Sequence, residues 1–251
     1  MSVSARELVS LKPDVILARS TAAVRALKPE TNTIPVVFVS VSDPVGDNFV
    51  ASMARPGGNI TGFTNVEASL GGKWVELLKE VAPGVKRATI LFNPDVASSG
   101  GSFYLRTIEA AAALVSVAIN PVRVLTVAEI ETALAAVAAE KDSGLIVMPD
   151  PFIVPNRASI RAFAERNRIP AIYGFPYMAQ EGGLLAYGID NVDLHRRSAD
   201  YIDRILKGAQ PGQLPVQAPV RFSLVLNLKT AKAVGIAFSP GLLARADEVI
   251  E

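Results

Sequence analysis

Residues 34–44 read Ile34-Pro35-Val36-Val37-Phe38-Val39-Ser40-Val41-Ser42-Asp43-Pro44. The run 35–39 is apolar throughout, rich in β-branched residues and too short for a helix. It then stops at hydroxyls, a carboxylate and a proline. An unbroken apolar run of this length reads as a strand buried on both faces, and its abrupt polar end as the carboxyl end of a strand in a parallel sheet. The same order recurs along the chain. Strands are predicted at 15–18, 60–63, 88–92, 122–125, 145–148, 171–173 and 184–187, most of them fully buried. Helical patterns lie between them at 69–81, 102–117, 127–140, 156–167 and 192–206, and another runs from the first residues to Pro13. Short buried strands alternating with longer helices predict an α/β fold of βαβ units with mostly parallel sheets.

At 251 residues the chain amounts to about 1.7 typical domains. Boundaries expected near 65–69, after the strand at 60–63, and near 190–192 divide it into a first lobe, 1–65 plus 190–251, and a second, 66–189, which holds five strands. Two crossings between lobes imply a hinge. Lys207-Gly208 closes the long helix as a C-cap, 210–219 is a Pro/Gly-rich connector, 222–228 a further strand and 229–234 a short helix.

Composition removes whole classes of function. Half the residues are apolar, 20% are charged and the net charge is +1, which fits neither a disordered chain nor a nucleic-acid-binding surface. With no cysteine there is no disulfide, thiolate nucleophile or iron–sulfur cluster. The single histidine, His195, sits in Asp193-Leu194-His195-Arg196-Arg197, a polar helical face, and reads as solvated. No metal site and no catalytic triad is predicted. No apolar run reaches the roughly 18 residues of a membrane span, so no direct membrane insertion is expected. Residues 55–62, Arg55-Pro56-Gly57-Gly58-Asn59-Ile60-Thr61-Gly62, lack dinucleotide spacing and precede a strand. Gly71-Gly72-Lys73 is followed by Trp74 inside a helical pattern and is no phosphate loop. No cofactor is expected, and Trp74 reads as a core anchor.

In open parallel sheets ligands bind beyond the carboxyl ends of the strands. Those ends carry Arg19-Ser20-Thr21, Ser40-Val41-Ser42-Asp43-Pro44, Asn93-Pro94-Asp95, Pro149-Asp150-Pro151, Gly174, and Gly188-Ile189-Asp190-Asn191. Taken singly, such residues are helix caps. Taken together, hydroxyls and helix starts suit a carboxylate, carboxylates suit an ammonium, and the pair suits a zwitterion. Asp43 and Asp150 also allow an acid/base pair in an α/β hydrolase, a reading weakened by the absence of a nucleophile motif.

Several segments in order resemble a known group. They are Lys12-Pro13-Asp14-Val15-Ile16, Ile34 onward to Val39, Ser42-Asp43-Pro44-Val45-Gly46, the 55–62 turn, Tyr201-Ile202-Asp203-Arg204-Ile205-Leu206-Lys207-Gly208, Asn227-Leu228-Lys229-Thr230-Ala231-Lys232-Ala233, and 242–250. The chain resembles substrate-binding proteins of bacterial ABC transporters, in the group with tryptophan and tyrosine binders, over essentially its whole length. The resemblance implies a type I periplasmic binding fold, two Rossmann-like lobes that close on a small ligand, and docking on an ABC permease. It implies a periplasmic, non-enzymatic receptor whose ligand is an amino acid, with aromatic ones among the candidates. By position, Ser20, Thr21, Ser42 and Asp43 become the first lobe's ligand contacts, and Asn93, Asp150 and Tyr173 the second's. The hydroxyls would hold the carboxylate, Asp150 the ammonium, and Tyr173 would form a wall. Members of the group begin with a signal peptide and a strand, helix and strand ahead of the segment matching 12–16. No apolar signal core opens this sequence, so the resemblance implies a first lobe incomplete at its N-terminal side. Its sheet would have an open edge through which a dimer could form. A ligand-sensing effector domain of a regulator uses the same fold, but the sequence carries no DNA-binding headpiece and too little positive charge.

Overall fold

The computed structural model describes residues 2–65 and 69–251. In chain order the elements begin with α1 (Ser2–Ser10), β1 (Ile16–Arg19), α2 (Thr21–Leu27), β2 (Val36–Val41) and β3 (Ile60–Thr64). Next come α3 (Leu70–Val81), β4 (Arg87–Phe92), α4 (Ser102–Leu114), β5 (Ala118–Arg123), α5 (Val127–Ala139) and β6 (Ser143–Val147). Then follow α6 (Arg157–Arg166), β7 (Ala171–Tyr173), α7 (Pro176–Gln180), β8 (Leu185–Ile189) and α8 (Asn191–Leu206). The chain closes with β9 (Phe222–Asn227), α9 (Leu228–Val234), α10 (Pro240–Leu243) and β10 (Glu248–Ile250).

The chain forms two compact units, one of residues 2–65 and 190–221, the other of residues 69–189 and 222–251. It passes between them three times, where the sequence reading placed two crossings. The expected boundary at 65–69 includes 66–68, which lie outside the described residues. The stretch 222–251, assigned from sequence to the first lobe, belongs to the second unit because β9 pairs antiparallel with β8, Ile189 facing Phe222.

Unit 1 is built on a parallel sheet in the order β1-β2-β3, with Ile16 level with Val36 and Val36 level with Ile60. Val36, Phe38 and Ile60 pack with Val24 and Leu27 of α2 and Ala5 of α1. On α8, Tyr201 meets Phe63 of β3 with ring centres 4.8 Å apart. The outer side of β3 is closed by the stretch after α8. There Thr64 N–H donates to Gln217 O (2.9 Å), Gln217 N–H to Gly62 O (2.9 Å), and the Thr61 hydroxyl to Leu214 O (2.6 Å). The outer side of β1 has no such cover among the described residues. Unlike β2 and β3, β1 alternates buried and exposed, and Leu17 is 46% exposed.

Unit 2 holds seven strands in the order β10-β9-β8-β7-β6-β4-β5, parallel except for β8 with β9. The strand predicted at 122–125 lies at Ala118–Arg123 instead. Pro121 is tolerated inside it because β5 is an edge strand, where one missing N–H costs no central ladder bond. Gly71 and Gly72 have a packing role: a Cβ on Gly71 would lie 2.5 Å from Thr107 Oγ1 and 2.8 Å from Ile108 Cγ1, so glycine lets α3 and α4 meet closely. Trp74 is fully buried, and its indole N–H donates to Tyr187 O at 2.6 Å, which satisfies its one polar atom. Among the described residues no helix is long and apolar enough to cross a membrane, and no group of His, Asp and Glu could hold a metal ion.

Candidate functional site

In unit 1 the four residues expected to touch ligand all stand at the carboxyl edge of the sheet. Adjacent backbone bonds fix their order, since Ser20 N–H donates to Val39 O (3.0 Å) and Asn65 N–H to Val41 O (3.1 Å). Ser20 ends β1 and caps α2, its hydroxyl accepting from Ala23 N–H at 3.4 Å. Its backbone has φ 89° and ψ 153°, a region nearly confined to glycine that costs a serine about 1–3 kcal/mol. Thr21, 2% exposed, begins α2. On β2 the pairing slips between Val39 and Val41, with Ser40 at φ 59°. The slip turns the Ser40 hydroxyl toward Asn191 Oδ1 (3.5 Å) at the start of α8. The Ser42 hydroxyl, buried, donates to Asn65 Oδ1 at 3.0 Å. Asp43 accepts from Gly46 N–H at 2.8 Å through Oδ1 and shapes the turn that follows. That turn is anchored to α2 by the Arg25–Asp47 ion pair (3.1 Å) and by Lys28 Nζ donating to Asn48 O. Burial pushes the Asp47 carboxyl up despite Arg25.

The edge therefore also includes Ser40, Asn65 and Asn191, which were not singled out as contacts. Each is a polar residue just past a strand, the signal already used for the others. Asn65 was treated only as a boundary, and the bulge that presents Ser40 has no sequence mark.

In unit 2 Asn93 and Asp150 come together, and Tyr173 does not join them. Asp150 is 2% exposed, and its carboxylate accepts three backbone N–H bonds, from Asn93 (3.0 Å, Oδ2), Phe152 (2.7 Å, Oδ1) and Ile153 (2.9 Å, Oδ1). It ties the loop after β4 to the loop after β6. Burial pushes its carboxyl up, while the three N–H donors pull the other way. With three acceptor positions taken, the residue acts as a fastener of the edge more than as an ammonium partner. Asn93 accepts from Asp95 N–H at 2.9 Å through Oδ1, so what it presents to a ligand is its amide NH2. Tyr173 ends β7, level with Val147 of β6, but is 1% exposed. A Cβ on Gly183 would fall 2.8 Å from its ring, and the charges it feels are those of Arg161 and Glu165 on α6. It is a core residue under the edge, its phenol pushed far up by burial. Beyond β7, Phe175 stacks on Tyr177 (5.5 Å between centres, 14° between planes), and Arg157 lies over Tyr177 while paired with Glu181. The end of β8 runs against the loop after β7: a Cβ on Gly188 would lie 2.0 Å from Gly174 O.

A cavity of about 740 Å³ in unit 1 lies elsewhere. Asp14, Pro35 and Asn59, which line it, precede β1, β2 and β3, so it opens at the amino edge of the sheet. The carboxyl edge is the better candidate, because there the polar side chains are buried and the backbone is strained, whereas Asp14, Gly58 and Gln210 of the cavity are solvent-exposed.

A family model described as ABC transporter substrate binding protein matches residues 2–250. A tyrosine-binding protein of Clostridioides difficile (strain R20291) is 28% identical over 230 residues, covering 92% of this chain and 65% of that protein. This chain thus spans just under two thirds of that relative's length. Among solved structures, a conserved domain protein from Vibrio cholerae O1 biovar eltor str. N16961 superposes with a TM-score of 0.90 at 29% identity, over 99% of this chain and 82% of that one. An ABC domain in complex with L-Trp from Streptococcus pneumonia gives 0.90 at 26% identity, over 99% and 83%. The fold is that of type I periplasmic binding proteins. With the family match extending over nearly every residue, the chain belongs to the ABC transporter substrate-binding protein family.

Proposed function

We propose that this chain is the solute receptor of a bacterial ABC importer, working in the periplasm, binding an amino acid with an aromatic side chain and passing it unchanged to a membrane permease. The observation that carries the reading is the carboxyl edge of unit 1. Three adjacent parallel strands end there in Ser20-Thr21, Ser40 to Asp43 and Asn65, with the strained Ser20 backbone held in place. Strain of this kind persists at sites that bind. Hydroxyls, amides and the N–H groups that start α2 suit a carboxylate. Unit 2, taken by itself, has at its own carboxyl edge Asn93, whose backbone N–H is held by Asp150, with Tyr173 buried beneath that edge. The aromatic preference rests on the relatives, one named for tyrosine and one solved with L-Trp.

Catalysis is not part of the reading. Asp150, one of the two carboxylates of the acid/base reading, is occupied by three backbone donors.

A thermal-shift screen against amino acids, sugars and nucleobases tests it. A ligand at a hundred times its Kd adds about 2.7 kcal/mol, a rise of roughly 5–10 °C at this size. Tryptophan or tyrosine should produce that rise and be recovered intact by mass spectrometry. A rise with sugars alone, or turnover of any ligand, would overturn the proposal.

A further inference from the structure

The wall that Tyr173 was expected to form needs a ring with a face to offer, and one ring in unit 2 has it. Of the chain's one tryptophan, five tyrosines and ten phenylalanines, ten are buried and six are half-buried. An aromatic face left in water is unfavourable, and five of those six are covered by a ring or a guanidinium. Phe103 meets Tyr104 edge-on, Tyr187 stacks with Phe222, Tyr177 stacks on Phe175 and lies under Arg157, and Phe163 lies under Arg166. Among the described residues Phe152 alone of the six has no such partner.

Phe152 also stands at the right place. It lies in the loop after β6, at the carboxyl edge of the unit 2 sheet. The Asp150 carboxylate accepts its N–H (2.7 Å, Oδ1) and that of Asn93 (3.0 Å, Oδ2), so one side chain bridges Phe152 to the residue whose amide NH2 is unspent. The loop is stiff. Pro149 and Pro151 fix φ on either side of Asp150, the Asn156 amide donates to Phe152 O at 2.8 Å, and Ile153 is fully buried. A Cβ on Gly174 would lie 2.7 Å from Pro149 Cδ, so the loop after β7 packs directly on this one. A ring held in this way loses little freedom when a second ring lies on it. We propose that Phe152 is the platform on which the ligand's aromatic side chain stacks, and that it sets the preference for tryptophan and tyrosine. The inference rests on the receptor reading and supplies the apolar contact that Tyr173, 1% exposed, does not offer. Asp150 is then a positioning residue, holding the platform and the Asn93 amide in one frame.

Calorimetric titration of tryptophan and of tyrosine into the 251-residue chain tests this, with Phe152→Leu and Phe152→Tyr alongside. Leucine keeps the apolar bulk and removes the ring; the position is half-buried, so Tm should fall by less than about 4 °C. Affinity for both amino acids should fall about tenfold, the contribution of one aromatic pair. Phe152→Tyr keeps the ring face and should stay within about threefold of the parent. Parent-like affinity in Phe152→Leu would overturn the inference and leave the receptor reading standing, with the ring free for a protein partner. Equal losses in both variants would overturn it as well, since the loop and not the ring would then matter. If the parent binds neither amino acid, the receptor reading fails and the platform fails with it.

Discussion

Replacing Asp150 by alanine would show whether the carboxyl edge of unit 2 is held together as described. The carboxylate accepts three backbone N–H bonds at 2.7–3.0 Å in a site 2% exposed. Truncation leaves the N–H groups of Asn93, Phe152 and Ile153 without their acceptor. A hydrogen bond to a charged group contributes about 1.5–3 kcal/mol, and an orphaned buried donor costs about 1–3 kcal/mol. Water entering the space left by the carboxylate offsets part of this, so Asp150→Ala should cost about 3–5 kcal/mol, or roughly 6–20 °C in Tm. Asp150→Asn keeps one acceptor oxygen, enough for Phe152 and Ile153, and turns an NH2 toward the N–H of Asn93, so the loss should be about half. The assays are calorimetric Tm and ligand titration on both variants. Because burial raises the carboxyl's pKa in the folded state, the stability this group contributes is fully present below the unfolded value near 3.8 and is lost as pH rises through the folded pKa. The parent-minus-Asn difference in stability should therefore shrink on going from acid toward neutral pH. A Tm for Asp150→Ala within 2 °C (about 1 kcal/mol) of the parent would refute the fastening role. Unchanged stability with ligand affinity lost would make Asp150 a direct contact instead.

Three further outcomes follow from the geometry. Ser20→Gly should raise stability by about 1 kcal/mol, since glycine accepts φ 89°, ψ 153° without strain and loses only a few tenths as a helix cap, while ligand affinity falls with the hydroxyl; a lower Tm would mean that the strain is not there. Gly71→Ala should cost about 1–3 kcal/mol in denaturant unfolding, because its Cβ would lie 2.5 Å from Thr107 Oγ1 and 2.8 Å from Ile108 Cγ1 and the α3–α4 contact must open. For Asp47, raised by burial, the contribution to stability is present below the unfolded carboxyl value near 3.8 and lost as pH rises through the folded one. Tm measured from pH 3 to 7 (spanning the ordinary carboxylate range) should fall relative to Asp47→Asn, and parallel curves would contradict the burial effect.

What the sequence disclosed, and what it withheld, follows from how local each determinant is. Buried strands such as β2 and β6 carry unbroken apolar runs, 36–39 and 145–147, and the long amphipathic α8 announces itself by its cap, Asp190, whose carboxylate accepts from Val192 and Asp193 N–H. The seven-residue α2 between β1 and β2 escaped notice because its signal is one capping serine ahead of a short alanine-rich turn. The placement of β9 was out of reach for another reason. Its pattern marks a strand, but membership of one unit or the other depends on which edge it meets in space, here that of β8. At the site the same division holds. Polar residues past strand ends were visible as a set, but where their lone pairs go was not. Asp150 looks in sequence like a free carboxylate between two prolines, Pro149 and Pro151. Only the approach of the β4 loop, from 57 residues earlier in the chain, converts it into an acceptor for backbone. Ser42 gains Asn65 in the same way, across a strand that the sequence orders but does not position. The residues that fasten this edge to itself are therefore of the same chemical type as those that would face a ligand. A polar residue at a strand end becomes a ligand contact only where the fold leaves its valences unspent, which directs mutagenesis first to the Asn93 amide, whose Oδ1 is taken by Asp95 N–H while its NH2 is not.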